Sequence, residues 1–167
     1  MRSLPARRFV DANVFVNWLK ASPRAVVQDD TAAISGYVLK SIEDGEEALT
    51  TLTVKDEVAI WLSRYKAAAL NTFLELLQGY VALEVVAPTF EDQIEAGKLM
   101  GRYGLGYTDL LSLRTMERYG VTEIYSSDAG FDAVPGISRV FLELREEERF
   151  AEFLTELGKL GRQIQSS

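Results

Sequence analysis

The 167 residues are 47% hydrophobic and 26% charged, which is ordinary for one globular domain. There is no cysteine and no histidine, so disulfides, thiolate nucleophiles, histidine-based triads and Cys- or His-ligated metals are excluded. The net charge of −7 argues against non-specific nucleic-acid binding by the whole surface. The chemistry that remains belongs mainly to oxygen groups, which Mg²⁺ and Mn²⁺ prefer as ligands.

No hydrophobic run approaches the roughly 20 residues that a membrane span requires. The charge at the N-terminus is not followed by the apolar segment of a secretory signal. We therefore expect a cytoplasmic protein that does not enter the membrane.

Short apolar strands alternate with amphipathic helices along the chain. The pattern predicts strands at 8–11, 48–54, 81–87, 123–127 and 137–142. It predicts helices at 14–20, 26–43, 55–65, 67–79, 90–103, 107–119 and 144–164. This alternation is typical of an α/β fold with a parallel sheet of about five strands and helices on both faces. We predict a single domain over residues 1–167, with a core at about 8–142 and a C-terminal helix at about 144–164.

The C-terminal helix carries one apolar stripe. The spacing predicts that the stripe packs on the core, and the alternative is a dimer or partner surface. Its members are Phe150, Phe153, Leu154, Leu157 and Leu160.

Four carboxylates occupy positions where strands end and helices begin. Asp11 ends the first strand, and Asp128 ends the strand at 123–127. Glu57 and Asp109 lie in the first turns of two crossover helices. In an open parallel sheet, such positions line the crevice in which ligands bind. Asp132, four residues after Asp128, is an additional candidate acid.

Helical phase distinguishes Glu57 and Asp109 from the other helical acids. With about 100° per residue, Glu57 flanks an apolar stripe, whereas Asp56 falls on the solvent side. Asp109 shares its face with apolar residues one and two turns later. A carboxylate beside apolar residues loses hydration unless a cation or hydrogen bonds compensate, which favours both residues as ligands. The stripe beside Glu57 consists of Val54, Val58, Trp61, Leu62 and Tyr65, and the stripe of Asp109 contains Leu113 and Met116.

Each acid also has a structural interpretation. Asp11 and Asp109 could cap helices, Glu57 could interact with a helix dipole, and Asp128 could form an Asx-turn. If the four converge, however, they cannot all remain ionised without a cation. One or two divalent ions would neutralise them, acidify a bound water and shield a phosphodiester.

The acids and their neighbours resemble the motifs of the PIN-domain family, in particular the VapC-like ribonuclease toxins. The resemblance rests on four segments that span about residues 8–142 in order. These segments are Asp11-Ala12-Asn13, Thr53-Val54-Lys55-Asp56-Glu57-Val58, Tyr107-Thr108-Asp109-Leu110-Leu111 and Ser126-Ser127-Asp128-Ala129-Gly130-Phe131.

The resemblance implies a PIN-like three-layer α/β/α fold and a Mg²⁺- or Mn²⁺-dependent endoribonuclease, plausible as the toxin of a toxin–antitoxin pair. It also implies a homodimer and an antitoxin partner. The expected metal site and catalytic centre consists of Asp11, Glu57, Asp109 and Asp128, with Asp132 as an additional acid and Asn13 and Ser126 in support.

An RNA substrate requires cations that hold its phosphates. Arg64, seven residues after Glu57, and Arg114, five residues after Asp109, are the candidates nearest the predicted crevice. The alternative for each is a solvated helix face.

Two other functions remain open at this point. One is a catalytically inactive PIN-like module that binds RNA or protein. The other is a different Mg²⁺-dependent carboxylate enzyme, such as a phosphatase, although Asn13 stands where a phosphoaspartyl enzyme would have its second Asp. The sequence also leaves open whether the chain is a toxin or an RNA-processing enzyme.

Overall fold

The computed structural model describes residues 6–21 and 29–166. Five strands are present: β1 (Arg8–Val10), β2 (Ala48–Thr51), β3 (Leu83–Val86), β4 (Glu123–Tyr125) and β5 (Ser138–Val140). The helices of the described chain are α1 (Ala12–Lys20), α2 (Asp30–Glu43), α3 (Leu52–Tyr65), α4 (Leu70–Gly79), α5 (Phe90–Lys98), α6 (Tyr107–Arg118) and α7 (Glu148–Ser166). Short 3-10 turns lie at Ala67–Ala69, Ala129–Ala133 and Leu142–Glu146.

The five strands form one parallel sheet in the order β3-β2-β1-β4-β5. The chain moves outward from β1 to β3 and then crosses back to β4 on the other side of β1. This reversal of strand order lies between β1 and β4, where Val10 pairs with Tyr125. Connections that diverge on either side of such a point leave a crevice at the carboxyl ends of the strands.

The sheet is the middle layer of a three-layer α/β/α fold, as predicted. Its central strands are buried on both faces, and every residue of β2 is buried. In the helices, apolar positions repeat toward the sheet, as Val54, Val58 and Leu62 do on α3. Within the described residues, no helix is long and apolar enough to cross a membrane.

Several predicted ends of helices and strands were wrong, because capping residues and glycines place these ends at other positions. The strand predicted at 48–54 ends at Thr51, since its hydroxyl accepts a hydrogen bond from the Val54 N–H at 3.0 Å and starts α3. The helix predicted to reach residue 103 ends at Lys98, and the following loop has glycines with positive φ at 101 and 104.

Other elements are shorter than predicted. The strands predicted at 81–87 and 137–142 span 83–86 and 138–140, and the last helix begins at residue 148 because a 3-10 turn occupies 142–146. The helix predicted from residue 26 begins at Asp30, with Asp29 as its N-cap. Residues 26–28 of that predicted helix lie outside the described part of the chain.

Most of the C-terminal stripe packs on the core. Phe150 is buried with its ring edge-on to Tyr37, at 5.5 Å between centroids. Phe153 contacts the rings of Tyr37 and Trp18. Leu160 at the far end is exposed. Leu154 and Leu157 are partly buried against the core as well, so the predicted core role holds for every residue of the stripe except Leu160.

Candidate active site

Asp11 and Ser126 lie side by side at the carboxyl ends of β1 and β4. The Asp11 N–H donates to the Tyr125 carbonyl at 3.1 Å, which continues the pairing of the two strands by one residue. The side chain of Asp11 is the N-cap of α1 and accepts from the Ala12 N–H at 2.9 Å. The predicted structural role of Asp11 as a cap is therefore real, and it leaves the second carboxylate oxygen for other contacts.

That second oxygen is held by the two residues predicted to support the site. Asp11 Oδ2 accepts from Ser126 Oγ at 2.7 Å and from Asn13 Nδ2 at 2.9 Å. Asn13 Oδ1 also accepts from the Ser127 N–H at 3.1 Å and so links α1 to the end of β4. Since Asp11 is only 4% exposed, these bonds fix its carboxylate in one orientation.

The hydroxyl of Ser126 also fixes the start of the Asp128 turn. Ser126 Oγ accepts from the Asp128 N–H at 3.1 Å. The carboxylate of Asp128 is exposed and accepts from the Gly130 N–H at 2.8 Å, which is the Asx-type contact expected from sequence. A Cβ on Gly130 would lie 2.8 Å from the Leu105 side chain and 3.0 Å from Asp128 Oδ1, so a larger residue here would require these side chains to shift.

Glu57 and Asp109 approach from two helices that start at the same edge of the sheet. Glu57 is half-buried, and its Oε1 accepts from Thr108 Oγ1 at 2.6 Å. Asp109 is half-buried in the first turn of α6, and its Oδ2 accepts from the Gly106 N–H at 3.3 Å. The Thr108–Glu57 bond therefore joins α3 to α6 next to Asp109.

The electrostatics show that these acids influence one another. Burial, together with the charges of Asp109 and Glu57, raises the pKa of Asp11 to about 7 against the opposing hydrogen bonds from Ser126 and the Ala12 N–H. Burial is also the main reason why the pKa of Glu57 is raised, and the charge of Asp109 raises it as well. The pKa of Asp109 is likewise raised mainly by burial, with a contribution from the charge of Asp128. The carboxylates thus form one electrostatically coupled group.

The carboxylates of Asp11, Glu57, Asp109 and Asp128 do not converge tightly on a single point. Among residues 6–21 and 29–160, no three acidic side chains are close enough together to make a ready metal-binding cluster. What the arrangement offers is a set of carboxylates whose charges influence one another near the carboxyl ends of β1 and β4, with Asp11 held in place by hydrogen bonds.

Asp132 forms an ion pair with the guanidinium group of Arg139. Its two oxygens accept from Nε and Nη2 of Arg139 at 2.9 and 3.0 Å, and Arg139 lowers the pKa of Asp132. Arg139 also donates to the Ser126 carbonyl at 3.4 Å, beside the negative charge of Asp128. The structure therefore gives Asp132 a partner of its own instead of grouping it with the other acids.

The two arginines that were predicted to bind the substrate, Arg64 and Arg114, lie on different helices and in different surroundings. Arg64 is exposed in the last turn of α3. Arg114 is ion-paired with Glu117 and lines a cavity of about 480 Å³ beside Val121, at the start of β4. Arg114 therefore lines a cavity near the start of β4, whereas Asp11, Ser126 and Asp128 lie at its carboxyl end.

Comparison with known families decides what kind of domain this is. The family model described as "PIN domain" matches residues 8–137, which is most of the chain. The chain belongs to the PIN-domain family. A comparison with curated proteins gives no match.

Solved structures with this PIN fold come from several bacteria. One is VapC20 of Mycobacterium tuberculosis, a sarcin–ricin loop cleaving toxin, with a TM-score of 0.64 and 18% identity over 80% of this chain and 98% of that one. A toxin–antitoxin complex from Klebsiella pneumoniae has a TM-score of 0.54 and 14% identity over 78% and 95%. VapBC2 of Rickettsia felis, bound to a promoter DNA fragment, has a TM-score of 0.54 and 12% identity over 80% and 96%. At these identities, the likeness concerns the fold.

Sequence analysis missed three polar residues of this PIN domain that hold the acids or their loops. Thr108 orients Glu57, Arg139 pairs with Asp132, and Asn17 is buried with its amide donating to Ser127 Oγ at 3.1 Å. Thr108 stood in the quoted motif, and Asn17 lies one turn after Asn13, so both had a weak sequence signal. Arg139 had none because its partner is set by the pairing of β5 with β4.

Proposed function

We propose that this PIN domain is a Mg²⁺- or Mn²⁺-dependent endoribonuclease. The observation that supports the proposal is the buried carboxylate of Asp11, whose pKa is raised to about 7 beside Asp109 and Glu57. A protein that keeps such acids together at neutral pH has a strong electrostatic reason to bind a cation among them.

The residues fit a hard divalent cation. The proposed donors are carboxylate oxygens, and the chain has no histidine or cysteine that would favour softer metals. Hydrogen bonds orient Asp11 and Glu57 in advance, which lowers the cost of arranging ligands. The open spacing of the acids would leave the ion partly accessible to water and substrate.

Each side chain has a distinct proposed role. Asp11, Glu57, Asp109 and Asp128 would hold the cation, while Asn13 and Ser126 keep Asp11 in position. When bound, a divalent cation acidifies water and shields the charge of a phosphodiester. Thr108 would hold Glu57 in position, and Arg139 would keep the loop after β4 in register by its bond to the Ser126 carbonyl.

The biological setting is a proposal as well. Similarity in fold to VapC20 and to two toxin–antitoxin structures supports a role as the toxin of such a pair. An antitoxin partner and a homodimer are part of this proposal, and a cytoplasmic location stays a prediction.

A pair of neighbouring acids on α3 allows a sharp test. Labelled structured and unstructured RNAs are incubated with Mg²⁺, Mn²⁺ or EDTA and with the wild-type, Glu57→Gln and Asp56→Asn proteins. We expect cleavage that requires the metal, that falls by at least roughly 100-fold in Glu57→Gln, and that is unchanged in Asp56→Asn. Asp56 is exposed and pairs with Lys55, so it controls for the loss of a charge on the same helix.

The opposite results would change the proposal. Cleavage that persists in EDTA or in Glu57→Gln would refute the metal mechanism or the role of Glu57. Intact RNA across the panel, combined with retained RNA binding and no calorimetric signal for the metal, would indicate the catalytically inactive binding module.

A further inference from the structure

We propose that the outer end of α3 is a binding site for a single-stranded segment of RNA, in which the ring of Tyr65 stacks on an unpaired base. The site consists of Tyr65, Arg64 and Lys66 with Lys20 at the end of α1, and it is called here the outer platform. The inference rests on the proposed ribonuclease function and extends it, because it names the strand state of the substrate and a contact outside the acids.

Helical phase places Tyr65 on the apolar stripe of α3, but its ring is not buried with the rest of that stripe. Its side chain is 69% exposed, whereas Val58 and Leu62 of the same stripe are buried. The ring is held from one side by Trp61, at 5.5 Å between centroids and an interplanar angle of 41°. A large aromatic ring that is supported on one side and open on the other is a suitable surface for stacking a base.

The outer platform also collects cations that have no acidic partner. Most Arg and Lys side chains of the described chain form ion pairs with Asp or Glu. The exceptions within residues 6–21 and 29–160 are Lys20, Arg64, Lys66, Arg102 and Arg149. Three of these five lie on the platform, in a protein whose net charge is −7. A local positive surface on an acidic protein indicates an anionic partner.

One contact brings the cations of two helices together. Lys66 Nζ donates to the Leu19 carbonyl at 2.7 Å, so the end of α3 lies against the last turn of α1. The negative end of the α1 dipole keeps this ammonium group in place. Lys20 is the next residue of α1, and Arg64 precedes Tyr65 on α3. Positive charges therefore lie on both chain neighbours of Tyr65 and at the end of α1 that Lys66 contacts.

Helix geometry connects the outer platform to the acids. Glu57, Trp61 and Arg64 are spaced at i, i+4 and i+7 and lie along one face of α3. At about 1.5 Å per residue, Arg64 lies roughly 10 Å along the helix from Glu57. This distance corresponds to about three base steps of a nucleic-acid strand. A strand held at the acids can therefore reach Tyr65 within a few nucleotides.

The chemistry of the outer platform favours a single strand over a duplex. The faces of bases inside a duplex are covered by their neighbours, whereas an unpaired base can stack on an aromatic side chain. Cations alone would bind either form through phosphates. The exposed ring of Tyr65 among unpaired cations is the combination that proteins use for single strands.

Binding is measured by fluorescence anisotropy in EDTA, so that metal-dependent cleavage cannot interfere. The probes are a labelled 12-nucleotide RNA without secondary structure and a labelled RNA duplex of the same length. The proteins are wild type, Tyr65→Ala, Tyr65→Phe, Arg64→Ala and Phe90→Ala. Phe90 is an exposed aromatic residue at the start of α5 and serves as the matched control.

We expect Tyr65→Ala to weaken binding of the single strand by roughly 5- to 100-fold, since stacking on one aromatic side chain accounts for that range. Tyr65→Phe and Phe90→Ala should stay within about twofold of wild type, and the duplex should respond to Tyr65→Ala by less than about twofold. Arg64→Ala should weaken both probes and reduce the salt dependence of single-strand binding by about 0.7 in log–log slope.

Single-strand binding that is unchanged in Tyr65→Ala would overturn the inference and leave this surface to a protein partner. Equal losses for single strand and duplex, or a Tyr65→Phe variant as weak as Tyr65→Ala, would also overturn it. Failure of the proposed ribonuclease function is separate, because cleavage is measured with Mg²⁺ or Mn²⁺. Tyr65-dependent binding without cleavage would support the outer platform and refute the enzyme, and normal cleavage with Tyr65-independent binding would do the reverse.

Discussion

Replacement of Asp11 by asparagine should stabilise the metal-free protein at neutral pH. In the folded protein the pKa of Asp11 rises from 3.8 to about 7, chiefly through burial. At about 1.4 kcal/mol per pKa unit, the ionised carboxylate costs the folded state up to about 4 kcal/mol above pH 7. Asparagine removes this charge and keeps one oxygen acceptor, which can take the place of Oδ2 beside Ser126 and Asn13.

The substitution also removes one hydrogen bond. With its amide oxygen in the place of Oδ2, asparagine still accepts from Ser126 Oγ and Asn13 Nδ2, and its NH2 group leaves the Ala12 N–H without an acceptor. One lost bond to a charged acceptor corresponds to about 1.5–3 kcal/mol. The net expectation for Asp11→Asn is a gain of about 1–2 kcal/mol in the free energy of unfolding at pH 8.

The raised pKa of Asp11 determines the direction in which the stability of the protein changes with pH. Because the folded pKa of Asp11 lies above the unfolded value, the folded protein keeps this proton longer as pH rises. Stability is therefore lost between about pH 4 and pH 7, and the loss is complete above that range. The variant lacks this loss, so the two stability curves should separate as pH rises toward 7.

The assay is urea unfolding in EDTA at pH 5, 6, 7 and 8, followed by circular dichroism. Asp56→Asn, which removes an exposed charge, is the control and should follow wild type. Added Mg²⁺ should stabilise wild type through linkage and stabilise Asp11→Asn much less. The reasoning is refuted if Asp11→Asn is less stable than wild type at pH 8 and both proteins keep the same pH dependence.

Three further substitutions probe the site and the fold. Thr108→Val should lower metal-dependent RNA cleavage by about 10- to 100-fold, because Glu57 loses the hydroxyl that orients it. Asp92→Asn should lower the free energy of unfolding by about 1–2 kcal/mol at pH 7, since the Asp92 carboxylate accepts from the Thr89 N–H in the capping box of α5 and pairs with Arg118. Against the effect of burial, the bonds with Thr89 and the pair with Arg118 lower the pKa of Asp92, so the wild-type protein should lose this contribution as pH falls below about 4. Gly36→Ala should cost about 1–3 kcal/mol in urea unfolding, because its Cβ would lie 2.3 Å from the Trp18 ring.

Matched variants give the controls. Thr108→Ser keeps the hydroxyl and should retain cleavage, so equal losses in Ser and Val variants would contradict the role of the hydrogen bond. Gly97→Ala introduces a methyl group into α5 with nothing within 4 Å and should stabilise by about 0.5–1 kcal/mol. An Asp92→Asn protein with unchanged stability at pH 7 would show that the cap and ion pair contribute nothing.

The fold class follows from the sequence because it depends on local patterns. Apolar strands and helices alternate in the chain, and that order alone requires parallel strands with crossovers. The PIN-domain resemblance was confirmed by the family match, whereas the metal-ligand roles of Asp11, Glu57, Asp109 and Asp128 stay predictions. Helix and strand ends were less accurate, since single caps such as Thr51 move a boundary by several residues.

Only the tertiary structure decided which side chains meet. The bond between Thr108 and Glu57 joins residues 51 positions apart, and the bond between Ser126 and Asp11 joins residues 115 positions apart. Such contacts depend on the strand order that places β4 beside β1, and no local pattern encodes that order. The exposure of Tyr65 has the same origin. The periodicity of α3 assigns this ring to the apolar stripe, but the core ends before the helix does.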